Sequence, residues 1–268
     1  MQSVWRGAIS FGLVSIPVRL YVAVQEKGMR FHHLHGADKG RIRYRRVCSV
    51  CGEEVAFEDI VKGYEYEKDR HVSFTEQELE RHPVEAFRAI DIVNFVSLQE
   101  IDPIYFDRSY YVVPEPTGLK AYRLLEQTLN QSGRIAIATV VLFRKEHLAA
   151  LRSREGIFLL ETMYWPDEIR TPQFDVLTRP VELRKQEVVL ARNLTELLSD
   201  RFDPAQFVDG TRQRLEELAQ AKVEGEEVVV PATPPGQVRG LLEALRASVE
   251  AEKEKSGKES RAKATRRR

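Results

Sequence analysis

The sequence predicts a mainly β protein with helices gathered toward its C-terminal end: a closed or nearly closed β-barrel core over residues 1–180 and a helical arm behind it. Three observations carry this. Through residue 166 the chain is a series of strand-like runs at short spacing with few helices, the pattern of a barrel. "RIAIATVVLF" is apolar almost throughout, as a strand buried on both faces or forming a barrel wall must be. Residues 181–222 instead place their apolar positions at helical spacing.

The elements follow in order. In "VWRGAISFGL" Trp5, Gly7, Ile9 and Phe11 fall on one side of a strand, and in "SIPVRLYVAV" Ile16, Val18, Leu20, Val22 and Val24 do. Pro17 suits the start or edge of that strand, because it has no N–H to give to a ladder. "MRFHHLH" continues extended, and "EVAFEDIVKGYEYE" and "RHVSFT" are further strand-like pieces. Thr75 and Glu78 have the spacing of a capping box opening a short helix in "TEQELERH". "AIDIVNFVSL" and "RSYYVVPE" return to β. "LKAYRLLEQTLNQSG" is helical, with Tyr122, Leu125 and Leu129 on one stripe, Leu124 beside them and Gly133 as the stop. "REGIFLLETMYW" is the last strong strand.

The arm, residues 181–223, begins with "ELRKQEVVLARNLTELLS", whose Val189, Leu190, Leu194, Leu197 and Leu198 stand at core spacing. Its second helix is expected to open at Asp203 as N-cap, with Pro204 first in the helix, Gln206 completing the box, and Phe207, Thr211, Leu215 and Leu218 on one face. Residues 224–236, broken by Gly225, three prolines and Gly236, read as a linker. Residues 237–253 place Val238, Leu241, Leu242, Leu245 and Val249 on one helical stripe, and residues 254–268 are a basic tail expected to be disordered.

The chain has 41 basic and 41 acidic side chains, yet the charge is unevenly spread. Residues 1–51 hold nine Lys or Arg against Glu26 and Asp38, and residues 251–268 hold eight against three Glu. The middle is therefore strongly acidic. That distribution argues against a wholly basic nucleic-acid binder and allows a basic inner surface with an acidic exterior. No apolar run approaches the roughly 20 residues of a membrane span. The N-terminal residues lack a signal-peptide pattern, and two cysteines make no disulfide framework, so cytoplasmic residence is expected.

"KGRIRYRR" concentrates the basic charge. Read as a strand, it points Lys39, Arg41, Arg43 and Arg45 one way, and Ile42 and Tyr44 the other, toward a core. Neighbours in such a row stand roughly 6.7 Å apart and repel by about 0.6 kcal/mol at water-like dielectric. A solvated strand face tolerates that. A line of phosphates would neutralise it, and the planar guanidinium suits phosphate oxygens.

"CSVC" places Cys48 and Cys51 at zinc-ligand spacing, two of the four corners needed. His32, His33 or His35, or a second copy of the chain, could supply the others. The alternative is a pair of reduced cysteines at a turn ending in Gly52. The 237–253 stripe either folds onto its own core or docks on a partner. The tail either contacts nucleic-acid backbone or is merely solvated. Tyr64, Tyr66, Tyr110 and Tyr111 either stack on bases or, the reading alternation favours, pack one of each pair inward. Neither common phosphate-binding glycine loop occurs, nor "GxSxG" or "HExxH", nor a paired-carboxylate pattern for metal-dependent phosphodiester chemistry.

Several blocks in order, "VWRGAISFGLVSIPVRLY", "RFHHLHGADKGRIRYRRVCSVCGEEV", "DIVKGYEYEKDRHV", "EIDPIYFDRSYYVVPEP" and "MYWPDEIR", together resemble the prokaryotic Ku proteins over residues 1 to about 250. The resemblance implies a Ku-type β-barrel core with a DNA-encircling bridge around residues 36–62, a helical C-terminal arm, and a homodimeric ring threaded by duplex DNA. It implies binding of double-stranded DNA ends without sequence specificity, no catalysis by the chain, no required cofactor, and recruitment of the ATP-dependent DNA ligase D for non-homologous end joining. On it, Arg30, Lys39, Arg41, Arg43, Arg45, Arg46 and Lys62, with Lys263, Arg266, Arg267 and Arg268 of the tail, are the candidate DNA contacts. Val238, Leu241, Leu242, Leu245 and Val249 are the candidate ligase contacts; Cys48, Cys51 and His35 remain a candidate zinc group. Competing readings are a repair nuclease or nucleotidyltransferase, and a zinc-bearing, sequence-specific regulator.

Overall fold

The computed structural model describes residues 1–80, 88–225, 242 and 244–250. The chain divides into two compact units: Met1–Lys27 with Phe31–Thr171, and Gly28–Arg30 with Pro172–Arg268. In the first unit the strands are β1 (Trp5–Phe11), β2 (Val14–Val22), β3 (Lys62–Glu67), β4 (Arg70–Phe74), β5 (Ala89–Ser97), β6 (Phe106–Pro114), β7 (Arg134–Leu142), β8 (Lys145–Arg154) and β9 (Ile157–Met163). All but β3 and β4 form a closed barrel in the order β1-β2-β6-β9-β8-β7-β5, with β5 returning parallel to β1. Closure leaves no strand edge to protect.

Alternation fills this barrel. Ile9 on β1, Ile16, Val18 and Leu20 on β2, Val112 on β6, Ala136, Ala138 and Val140 on β7, Leu151 on β8, and Phe158 and Leu160 on β9 belong to one buried cluster. The opposite faces of β7, β8 and β9 bury Ile135, Ala150 and Met163 in a second cluster, which is why "RIAIATVVLF" lacks polar alternation. Val22 and Val24 miss the core because β2 ends at Val22. Pro17 is tolerated because the β2–β6 ladder starts only at Val18.

Helix α1 (Glu76–Glu80) opens as expected: the Thr75 backbone N–H donates to Glu78 Oε2 at 2.8 Å, and the Glu78 N–H to Thr75 Oγ1 at 3.2 Å. Helix α2 (Leu119–Ser132) lies on the barrel and stops at Gly133, whose φ of +64° favours glycine. Its buried Tyr122 donates to the Val112 carbonyl at 2.8 Å, accepts from the Phe158 N–H at 2.7 Å, and meets the Phe158 ring edge-on at 4.7 Å. One hydroxyl thus ties the helix to the point where β6 and β9 pair. Leu124, expected beside the stripe, is 67% exposed, because α2 presents only the Tyr122–Leu125–Leu129 face to the barrel.

The second unit holds α3 (Lys185–Leu198) and α4 (Gly210–Glu224). The expected start at Asp203 is corrected: Asp203 caps only the short 3-10 turn Pro204–Gln206. The true N-cap is Asp209, whose Oδ1 accepts from both Thr211 and Arg212 N–H groups. Gln206 donates its amide toward Asp203 instead of closing a box, and the Phe207 ring turns to stack on Phe202 with centroids 5.6 Å apart. No residue of α3 or α4 is buried, and Val189, Leu197 and Leu198 are exposed although their spacing is that of a core face. Residues 244–250 are helical, with Val249 buried and Leu242 and Leu245 half-buried. Val238, Leu241 and the tail residues Lys263, Arg266, Arg267 and Arg268 lie outside the described residues. No described helix is long and apolar enough to cross a membrane.

Candidate nucleic-acid interface

Because β2 runs back along β1 and β5 runs parallel to β1, the end of β2 and the start of β5 lie at the same barrel rim, joined by a long connection. Residues 23–88 supply it, and both ends are rooted at one barrel rim: Leu20, near the end of β2, pairs with Trp5 at the start of β1, and the Ala8 N–H donates to the Arg88 carbonyl at 3.0 Å. Most of this crossover is a thin ribbon. One tight turn brings Leu34 opposite Arg41, with the Ile42 N–H donating to the His33 carbonyl at 3.0 Å; a second brings Val47 opposite Glu54. The segment from Arg41 to Val47 is therefore the shared middle pass of two successive turns. None of residues 23–79 is buried.

The expected strand over the basic row does not form: residues 41–47 make only the two isolated bridges at Arg41 and Val47. Arg41, Arg43, Arg45 and Arg46 lie exposed along the middle pass. Among the described residues the Arg41 and Arg43 guanidiniums make no hydrogen bond or ion pair. Arg45 pairs with Glu54 Oε2 at 3.2 Å, and Arg46 lies 5.3 Å from the centre of the Phe57 ring. Lys39 does not extend the row. It sits in the first turn with φ of +60° and returns its Nζ to the Gly36 carbonyl at 3.0 Å. The turn needs Asp38, whose Oδ1 accepts from the Gly40 N–H at 2.8 Å, and this fixes the left-handed kink where a strand residue was expected. The opposite face covers no core either: Tyr44 is 77% exposed and its hydroxyl is 2.6 Å from His33 Nδ1. Lys62 opens β3 and is exposed, while Arg30 belongs with the second unit.

The candidate zinc group is not assembled. His35 sits at the first turn with Nδ1 3.0 Å from Asp38 Oδ1, whereas Cys48 and Cys51 form the second turn. Among the described residues no three His, Cys, Asp or Glu side chains stand close enough to hold a metal. In the cysteine turn the Cys51 and Val50 N–H groups and the Cys51 side chain lower the Cys48 thiol below its ordinary pKa.

The tyrosine expectation divides. Tyr110 is buried in the barrel. Tyr64 and Tyr66 are exposed, because β3 pairs only with β4 and a two-stranded hairpin has no layer to bury against. The Arg70 guanidinium lies 5.3 Å from the Tyr66 ring centre. The alternating Glu65 and Glu67 were the available sign that this strand is solvated on both faces.

A family model described as Ku70/Ku80 beta-barrel domain matches residues 10–190. The chain is 47% identical to a Frankia casuarinae protein named Non-homologous end joining protein Ku, over 94% of this chain and 64% of that one. A protein of the same name from Symbiobacterium thermophilum is 46% identical over 94% of this chain and 63% of its own length. Another, from Heliobacterium modesticaldum, is 43% identical over 100% of this chain and 98% of its own. The chain thus spans just under two thirds of two of these relatives and nearly all of the third. With the closed seven-stranded barrel, these likenesses show that the chain belongs to the Ku β-barrel family.

Proposed function

We propose that two copies of the chain form a ring that encloses the ends of double-stranded DNA without reading sequence, and that the loaded ring recruits an ATP-dependent DNA ligase, ligase D, for double-strand break repair. The reading is of a non-catalytic scaffold that needs no cofactor. One observation carries it: residues 23–79 make a crossover with no buried residue, anchored at one barrel rim and bearing the guanidiniums of Arg41 and Arg43, which are unpaired among the described residues. A segment this long with no core of its own gains its order from what it lies against. Guanidiniums along an exposed segment suit phosphates, which position a protein on DNA but carry no base identity. The exposed apolar faces of α3 supply surface for a second copy. The ligase would be met by the stripe of residues 237–253; because Val249 is buried, its part of that stripe is offered only when the helix leaves the surface that covers it.

A mobility assay with linear duplex and covalently closed circles of equal length and composition tests enclosure. Linear DNA is expected to be bound and the circles spared, since a closed ring cannot be threaded onto a molecule without ends. Arg41→Glu with Arg43→Glu should abolish end binding while the dimer persists. Equal binding to both topologies, preference for one sequence, or metal-dependent cleavage by the purified chain would each remove the ring reading.

A further inference from the structure

Both cysteines of the chain lie in the second turn of the ribbon, directly after the basic middle pass. It is a single turn of helix that is not continued: the Gly52 N–H donates to the Cys48 carbonyl at 2.9 Å, and the Cys48 N–H donates to the Glu53 carbonyl at 2.9 Å. Gly52 ends it with a φ of +73°, the left-handed conformation that glycine adopts most readily. Helical geometry sets residues three apart about 5 Å from Cα to Cα, inside the roughly 4.4–6.8 Å that a disulfide spans. The side chains use that placement. The Cys48 sulfur accepts from the Val50 and Cys51 N–H groups, and the Cys51 side chain hydrogen-bonds to it as well. Cys51 is exposed and Cys48 half-buried, so a small solute reaches the pair. Among the described residues no third metal-type ligand joins them.

We infer that Cys48 and Cys51 form a reversible thiol–disulfide site, oxidised by hydroperoxides, with Cys48 as the attacking sulfur and Cys51 as the resolving one. Cysteines that react this way are accessible, held toward thiolate and set beside a second thiol. Backbone N–H groups aimed at the Cys48 sulfur favour its thiolate. In the first step that sulfur attacks one peroxide oxygen. The O–O bond breaks, the departing hydroxide takes the proton given up by the Cys48 thiol, and a sulfenic acid and one water result. In the second step the Cys51 sulfur attacks the Cys48 sulfur. The S–O bond breaks, and hydroxide leaves with the Cys51 proton as a second water. Two thiols are oxidised to one disulfide, and one hydrogen peroxide is reduced to two waters. A dithiol returns both electrons by exchange. The bond would fix the turn that follows the basic row, and it requires neither DNA nor the ring.

The test uses the full chain, reduced and then freed of reductant, with no DNA present. Hydrogen peroxide should take the titratable thiols from two per chain to none. Intact-mass spectrometry should show the loss of two hydrogens, with no chain cross-linked to another, and dithiothreitol should restore both thiols. Cys51→Ser should stop at the Cys48 sulfenic acid, captured by dimedone. Cys48→Ser should react at least about threefold more slowly, because the two N–H donors serve Cys48. Thiols that survive peroxide able to oxidise free cysteine, cross-linked chains in place of the internal bond, or zinc held by the pair and shielding it from peroxide would each overturn the site. Equal rates in the two variants would overturn the role of Cys48. Equal binding of linear and circular duplex would overturn the ring while leaving the cysteine site standing.

Discussion

Salt dependence gives the most direct measure of how the ribbon meets DNA. Each phosphate neutralised on duplex DNA contributes about −0.9 to the slope of log affinity against log salt. If Lys39, Arg41, Arg43 and Arg45 all engaged in both copies of a dimer, they would contribute about −7. The structure divides that total. Lys39 Nζ is turned back on the Gly36 carbonyl and Arg45 is paired with Glu54, whereas Arg41 and Arg43 are unpaired among the described residues. Arg41→Gln with Arg43→Gln removes four contacts from a dimer and should flatten the slope by about 3.6. Between 50 and 200 mM salt, wild-type affinity should then fall about 150-fold further than that of the double variant. Arg45→Gln should flatten the slope by less than about 1.8, because Glu54 competes with phosphate for that guanidinium. The assay is fluorescence anisotropy on a blunt labelled duplex at several salt concentrations, with circular dichroism melting as the check on folding. Both side chains are exposed, so melting should not move. A slope unchanged in the Arg41/Arg43 variant would show that the row does not touch the backbone. An equal flattening by Arg45→Gln would show that its pairing with Glu54 does not persist on DNA.

The barrel makes further predictions. Tyr122→Phe keeps the ring but leaves the buried Val112 carbonyl and Phe158 N–H without the hydroxyl, which should cost about 2 kcal/mol and lower the urea midpoint by about 1 M; a shift below about 0.2 M would refute the pin between α2 and the β6–β9 pair. The guanidiniums of Arg6 and Arg19 hold the Glu115 carboxyl below its ordinary pKa. A lowered folded pKa contributes stability that is present above the unfolded value and lost as pH falls through the folded one. Urea midpoints of wild type and Glu115→Gln should therefore differ by a constant amount from pH 8 to 5 and converge below about pH 4.3. A gap that widens on acidification would reverse the assignment.

The fold was largely legible because its signals are local and repeated. Alternation in β1 and β2, the nearly unbroken apolar run of β7, the Thr75–Glu78 box and the Gly133 stop each follow from backbone geometry acting over a few residues. The α4 boundary was misread because two Asp-led starts lie six residues apart, Asp203 and Asp209. Only the second accepts two helix N–H groups, and that depends on the backbone path after Phe207.

The candidate interface was legible in residue type but not in arrangement. Charge counting alone located the basic row, since guanidiniums are rarely concentrated without a polyanion to face. By itself the sequence determined a barrel, a row of cations at Lys39–Arg46, and a chain whose arm carries apolar faces. Only the tertiary structure decided that Lys39 leaves the row in a turn, that Arg45 is answered by Glu54, and that His35 and the two cysteines occupy different turns. The reason is physical. Strand and helix periods are set by neighbours in the chain, whereas ion pairs, ligand groups and clefts join residues whose distance depends on how the barrel closes.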